Sequence, residues 1–201
     1  MGKILKDALV LAIITIVSGA LLGGVYKITE GPIAEQNEKT KIKAYNSVFH
    51  ELDTYQNIEN LTDAQSAIEA AGYDAVILNE AVLAFDKDSK ELGIILTVTD
   101  KDGYGGDIKM TVGIDCEGTI TGLELLEINE TAGLGMKAKD ENFRKQYVGI
   151  NADKVVFTKN GKTQPNEIDA ISSATVTTSA VTDGVNGAIA AFKVLGGGTN
   201  E

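Results

Sequence analysis

From Ala8 to Tyr26 the chain carries no charge, and the run holds Leu9, Val10, Leu11, Ile13, Ile14, Ile16, Val17, Leu21, Leu22 and Val25. About 20 such residues are what an α-helix needs to cross the hydrocarbon of a bilayer. In that medium the backbone must satisfy its own hydrogen bonds, which holds the segment to a helix. Lys3 and Lys6 precede it, and Tyr26 with Lys27 form an interfacial end. The run is long for the apolar core of a cleaved signal and no Ala-x-Ala site follows it, so we read an uncleaved anchor. Gly19, Ala20, Gly23 and Gly24 would let another membrane helix approach closely. Lys27, Lys39, Lys41 and Lys43 balance the lysines in front, so the count of positive residues leaves the orientation open.

The remainder is polar and acidic. A net charge of −11 over 201 residues argues against nucleic acid, or anionic lipid headgroups, as partners of the soluble part. Cys116 is the only cysteine, so neither an intrachain disulfide nor an all-cysteine metal site can form. We expect its thiol to be a small buried hydrophobe in a strand or turn. His50 is equally alone and reads as structural or exposed. With no tryptophan and few other aromatic residues, a bound ring would lean on aliphatic contacts and backbone hydrogen bonds.

Beyond the anchor, Pro32 is expected to open a polar stalk helix through Ile33, Asn37, Lys41 and Tyr45 to Phe49. Thr62 or Asp63 would cap a short helix through Ile68 to Ala71, closed by Gly72. Residues 75–78, 81–85, 92–98, 108–114 and 120–128 read as strands of a meander, with turns at 86–88, 100–103 and 115–118. A helix is expected from Lys137 through Phe143 to Val148. Near the end, Val181, Val185, Ala188, Ile189 and Phe192 fall at spacings of three and four, an apolar helix face stopped by Gly196 to Gly198. The fold class is therefore α+β: a membrane anchor helix over residues 1–30, a helical stalk over 31–73 and one soluble domain over 74–201 with an antiparallel sheet flanked by helices.

Three segments carry chemical signals. Gly103-Tyr104-Gly105-Gly106 precedes a strand; it lacks the Lys-Ser/Thr of a phosphate loop and reads alone as a hairpin. Glu130-Thr131-Ala132-Gly133-Leu134-Gly135 follows a strand, and its glycines allow backbone to lie against a flat ligand. The third is Asp169-Ala170-Ile171-Ser172-Ser173-Ala174-Thr175, continuing Val176-Thr177-Thr178, at the start of the last helix. Hydroxyls there are ordinarily caps. The same helix start, with unpaired N–H groups and the positive end of the dipole, also favours a phosphate, and Ser172, Ser173, Thr175, Thr177 and Thr178 each offer an oxygen for an ester.

Asp-x-x-Ser-x-Ala-Thr resembles the flavinylation motif of the FMN-binding domain family, in which FMN is esterified through its phosphate to the motif threonine, here Thr175. That family usually has glycine where this chain has Ala170 and Ser173. The order of Gly-Tyr-Gly-Gly-x-Ile, Val-Gly-Ile-Asp, Glu-Thr-x-Gly-Leu-Gly and Ser-x-Ala-Thr, behind one membrane helix, is similar to the G subunits of Rnf-type ion-translocating oxidoreductases. It is also similar to the related C subunits of sodium-pumping NADH:quinone oxidoreductases. Ala132 stands where proline is usual, and Ile128 where a histidine often precedes the Glu-Thr pair.

The resemblance implies covalent FMN on Thr175, with Glu130, Thr131, Gly133, Leu134, Gly135, Ser172, Ser173, Ala174, Val176 and Thr177 lining the cofactor and no catalytic acid or base in the chain. A threonine hydroxyl is a poor nucleophile at neutral pH, and no histidine or reactive lysine is evident nearby. The family therefore uses a separate flavin transferase; Asp169 reads equally as part of what that enzyme recognises and as the cap of the turn. The implied role is an electron relay among other membrane subunits that link ferredoxin and NAD to ion movement, with the soluble domain outside the cytoplasm. Ions would pass through those subunits, because one helix without internal charge forms no path. Alternatives are an anchored FMN-binding reductase module outside such a complex and a non-redox anchored scaffold.

Overall fold

The structure, a computed structural model, describes residues 2–196 and separates into two units, residues 1–41 and the chain from Ile42 onward. Gly197 and Gly198, expected to help stop the last helix, lie outside the described residues.

The first unit is helical. It belongs to α1 (Gly2–Val48), whose most apolar 18-residue window has a mean hydropathy of 2.4 and whose large apolar side chains from Ile4 to Ile33 are exposed. The helix is long and apolar enough to cross a membrane. Pro32 lies inside it rather than opening a second helix. Its ring removes the N–H that would reach the Ile28 carbonyl. Several formed turns on either side outweigh that loss, because propagating a helix costs far less than nucleating a new one.

In the second unit, β1 (Thr54–Asn57), β2 (Val76–Phe85), β3 (Glu91–Asp100), β4 (Ile108–Asp115) and β5 (Ile120–Glu127) form an antiparallel meander in chain order. Side-chain alternation explains its two faces. Ile94, Leu96 and Val98 of β3 join Met110, Val112 and Ile114 of β4 on one face, in the register Leu96 opposite Val112 and Val98 opposite Met110. That face is covered by α2 (Thr62–Ala70), through Ala64 and Ile68, and by α4 (Thr175–Leu195), through Val181, Val185 and Ala188. Burying each such Val, Ile or Leu contributes about 1.5–3 kcal/mol. A Cβ on Gly184 would stand 2.6 Å from Met110 Cε, so the missing side chain lets α4 sit low on β4.

The opposite face carries Val82, Ala84 and Ile95 beneath Tyr45, Val48 and Phe49 from the end of α1. Gly122 makes the seat: a Cβ there would lie 2.7 Å from the Val48 Cα. Tyr45 donates to Glu80 Oε2 at 3.0 Å and meets the Tyr55 ring edge-on at 5.3 Å. Because both faces are covered, β3 reads as a nearly continuous apolar run.

Several local expectations change. Residues 75–78 and 81–85 belong to one strand, interrupted by a register shift between Leu78 and Glu80. Leu61 holds the N-cap position of α2 in place of Thr62 or Asp63, and Asn60 Oδ1 accepts the Thr62 N–H at 3.2 Å. The expected helix from Lys137 to Val148 is a 3₁₀ turn, Gly135–Lys139, and a short α3, Glu141–Arg144. Asp140 between them is extended (φ −64°, ψ 134°) and breaks the run. Cys116 is exposed, not buried, because the Asp115 carboxylate accepts the N–H groups of Glu117 and Thr119 and turns the intervening residues outward. Strand β1 and the two-stranded parallel pair β6 (Val156–Thr158) and β7 (Glu167–Asp169) were not anticipated; they are short, and β1 is polar.

Candidate functional site

The sheet brings the two glycine loops together. Antiparallel pairing sets Lys109 at the start of β4 opposite Glu127 at the end of β5. The Gly103–Gly106 loop entering β4 therefore lies beside the Glu130–Gly135 loop leaving β5. The contact is direct: the Gly105 N–H donates to Glu130 Oε1 at 3.3 Å, and a Cβ on Gly105 would lie 1.9 Å from the Asn129 carbonyl oxygen. The Thr131 carbonyl accepts the Leu134 and Met136 N–H groups at 3.1 and 3.2 Å, closing the second loop around Gly133, which has φ +75°. Gly135 meets α4. A Cβ there would be 2.6 Å from Thr177 Oγ1 and 2.7 Å from Glu130 Oε2.

The chain reaches α4 from β7 under tight control. Asp169 donates its N–H to Gln146 Oε1 at 2.7 Å and accepts Gln146 Nε2 on its carbonyl at 3.3 Å. Its carboxylate accepts the Lys162 N–H at 2.8 Å, so Asp169 caps the loop before β7 and not the turn into α4. Thr178, fully buried, accepts the Ile171 N–H at 3.0 Å and donates to the Ala174 carbonyl at 2.9 Å. Ser173 has φ +62°, in the left-handed region that favours glycine. That is the position at which the FMN-binding family usually has glycine. The N-cap of α4 is Ala174, and no side chain caps the helix. The hydroxyl-rich turn therefore leaves the helix start without the caps its composition suggests.

Around that start lies a cavity of ≈ 410 Å³, within the roughly 300–1,000 Å³ range of small-molecule sites. Tyr104, Glu130, Thr131, Leu134, Gly135, Ser173, Ala174, Thr175, Val176 and Thr177 line it. A second cavity of ≈ 340 Å³ is lined by Lys159, Ala170, Ile171, Ser172, Ser173 and Thr175. Ser173 and Thr175 are common to both. Of the residues expected from sequence, Ser172 thus belongs to the second cavity, and Gly133 shapes the loop without being a wall of either. Tyr104 was not expected; its signal was the Gly-Tyr-Gly-Gly run, which read as a hairpin. Lys159 was also missed: it directly follows β6, which pairs in parallel with β7, and it lines the second cavity together with Thr175.

The three threonines differ in access. Thr177 and Thr178 are 1% and 0% exposed, whereas Thr175 is partly exposed. The residues present fit a flat apolar ring bearing a phosphate. Tyr104, Leu134 and Val176 supply an exposed apolar rim, while an uncapped helix start and a lysine in the lining of the second cavity suit an anion. A separate cavity includes Tyr73, Asp100, Asp102, Lys154 and Asp183. There burial pushes the Asp100 carboxyl up to about 6 and raises Asp183 as well.

Residues 103–190 match the FMN-binding domain family, and residues 1–48 match the RnfG N-terminal region. The chain is 28% identical to the G subunit of the Na⁺-translocating ferredoxin:NAD⁺ oxidoreductase complex of Acetobacterium woodii, over 96% of this chain and 93% of that one. It is 26% identical to the G subunit of the proton-translocating ferredoxin:NAD⁺ oxidoreductase complex of Clostridium ljungdahlii, over 94% and 91% of the two chains. Among solved structures, the C subunit of the Na⁺-translocating NADH-quinone reductase from Parabacteroides distasonis shares the fold, with a TM-score of 0.59 at 17% identity over 84% of this chain and 97% of that one. The N-terminal helix and the segment that builds the site thus match the same kind of protein: residues 1–48 the RnfG N-terminal region, residues 103–190 the FMN-binding domain, and more than nine tenths of the chain the G subunits of ion-translocating oxidoreductase complexes.

Proposed function

We propose that this chain is an electron-relay subunit of a membrane-bound, ion-translocating ferredoxin:NAD oxidoreductase complex and carries FMN joined through its phosphate to Thr175. The observation that carries the attachment is the position of Thr175. It is the partly exposed threonine of its motif, at an uncapped helix start and common to two cavities, whereas Thr177 and Thr178 are buried and Thr178 already bonds the backbone at Ile171 and Ala174. Leu134, Val176 and the Gly135 backbone would hold the ring, and the first turn of α4 with Lys159 would hold the phosphate. Bound there, FMN supplies reversible electron uptake and release.

The protein's part is to fix that carrier by its tether and to keep water from one side of it. The names of the relatives support the membrane complex, and the apolar helix supports an anchor. The partners are the other membrane subunits, together with a flavin transferase for maturation; the soluble domain lies on the extracytoplasmic side. The test is the intact mass of the full chain expressed with a flavin transferase, followed by peptide mapping. The reading expects a gain of roughly 440 Da on the peptide containing Thr175, lost in Thr175→Val. An unmodified mass, with the transferase shown active on a control substrate, overturns it, as does a gain that survives Thr175→Val.

A further inference from the structure

Tyr104 is an exposed ring on a tightly held loop. It is 74% exposed, and it is the only aromatic residue among the exposed large apolar side chains described from residue 42 onward. Burial elsewhere takes up Tyr45, Tyr147, Phe49 and Phe143. An aromatic side chain left in water forgoes the burial that ordinarily accounts for its presence.

The backbone beneath it is, by contrast, closely constrained. A Cβ on Gly103 would lie 2.2 Å from the Gly106 carbonyl oxygen, Gly105 packs against Asn129 and donates to Glu130, and Gly106 has φ +121°. These glycines press the loop onto the Glu130 segment and leave Tyr104 as its one side chain beyond Cα. That side chain is a wall of the cavity shared by Leu134, Val176 and Thr175.

We infer that Tyr104 is the aromatic platform of this site, stacking its ring on the flat ring of the bound cofactor and setting how readily that ring accepts electrons. The inference rests on the flavin reading proposed above. Two flat rings in offset contact gain attraction beyond simple area burial. An electron-rich phenol ring favours the electron-poor oxidised flavin, so it lowers the reduction potential. It also quenches an excited flavin in contact with it by transient electron donation and return. Tyr104 thus acts as a positioning residue that touches the cofactor without exchanging protons with it.

The test uses full-length protein loaded with flavin in wild type, Tyr104→Leu and Tyr104→Trp, with loading checked by intact mass. Removing about 1 kcal/mol of stacking lowers the stacked-to-open ratio about fivefold. Tyr104→Leu is therefore expected to load normally, to fluoresce several-fold more brightly, to admit iodide as a quencher more readily and to have a higher reduction potential. Tyr104→Trp keeps a ring and stays as dim as wild type. In flavin-free protein, where Tyr104 is 74% exposed, neither substitution should shift the melting temperature. Tyr104→Leu protein that is fully loaded yet as dim and as shielded as wild type overturns the stacking inference and leaves the cofactor reading intact. Wild-type protein that takes no flavin from an active transferase overturns both.

Discussion

Gly135 is the contact point between the Glu130 loop and the first turn of α4, and Gly135→Ala tests whether those two walls form one rigid unit. The added methyl would lie 2.6 Å from Thr177 Oγ1, 2.7 Å from Glu130 Oε2 and 2.8 Å from Glu130 Cβ. The carboxylate oxygen ends a flexible side chain and can swing aside. The Glu130 Cβ moves only with its backbone, which the Gly105 loop packs against, and Thr177 is buried on a helix of 21 residues. Overpacking of this kind costs about 1–3 kcal/mol. For a domain of this size each kcal/mol moves the melting temperature about 2–4 °C, so a fall of about 2–12 °C is expected. Gly133→Ala is the matched control: φ +75° imposes backbone strain, but nothing lies within 4 Å of the new methyl. Melting of the full chain in detergent gives stability, and intact mass gives flavin loading. Gly135→Ala should lose loading at temperatures where Gly133→Ala retains it. A Gly135→Ala protein that melts and loads as wild type does would refute a rigid junction between the loop and the helix.

Other consequences can be checked on the same protein. Ser173→Gly removes left-handed strain of about 1–2 kcal/mol and adds about 0.5–1 kcal/mol of unfolded-state entropy, so melting should rise by about 1–3 °C, whereas Ser173→Ala keeps its Cβ and gains nothing. Burial raises Asp100 from 3.8 to about 6, with Asp183, Asp102 and Asp107 adding to the shift and the Asp102 N–H opposing it. The folded state holds this proton where the unfolded state has released it, so the contribution to stability is fully present below about pH 4, is lost as pH rises through about 6, and is constant above. Denaturant melts from pH 4 to 7.5 should show a decline of about 1–3 kcal/mol that Asp100→Asn flattens while stabilising the protein at neutral pH. Cys116 is exposed, so a membrane-impermeant maleimide should label it in intact cells or spheroplasts if the domain is extracytoplasmic, and only after lysis if it is cytoplasmic.

The sheet was legible because covered faces impose a pattern: Ile94, Leu96 and Val98, then Met110, Val112 and Ile114, alternate as strands must. The apolar spacing along α4 was legible for the same reason, at a period of 3.6. Short elements escaped. The strand at Thr54–Asn57 has four residues and no apolar alternation, and β6 and β7 are three residues each. Pro32 misled because a proline is equally a first-turn residue and a tolerated interruption, and only the turns on both sides decide between them. In the site, Thr175 and the Glu130 loop were readable as motifs. What was not readable was the assignment of hydrogen bonds: Asp169 goes to Lys162, and Thr178 goes to Ile171 and Ala174.

That assignment is what turns a hydroxyl-rich run into a site. In a common helix start, a Ser or Thr side chain turns back onto the first-turn N–H groups and neutralises the very feature that attracts an anion. Here the N-cap is alanine, and the preceding Ser173 holds a left-handed backbone. The buried hydroxyl of Thr178 is committed to the backbone of Ile171 and Ala174. An uncapped first turn loses about 1 kcal/mol of helix stability relative to a capped one. The apolar face of α4 on β3 and β4 supplies far more than that, so the fold tolerates the loss. The cost of an uncapped turn is thus offset by packing two turns further along, and it leaves donors free beside a partly exposed threonine. The same logic holds for Tyr104, whose solvated ring is tolerable because the glycines beneath it anchor the loop without its help.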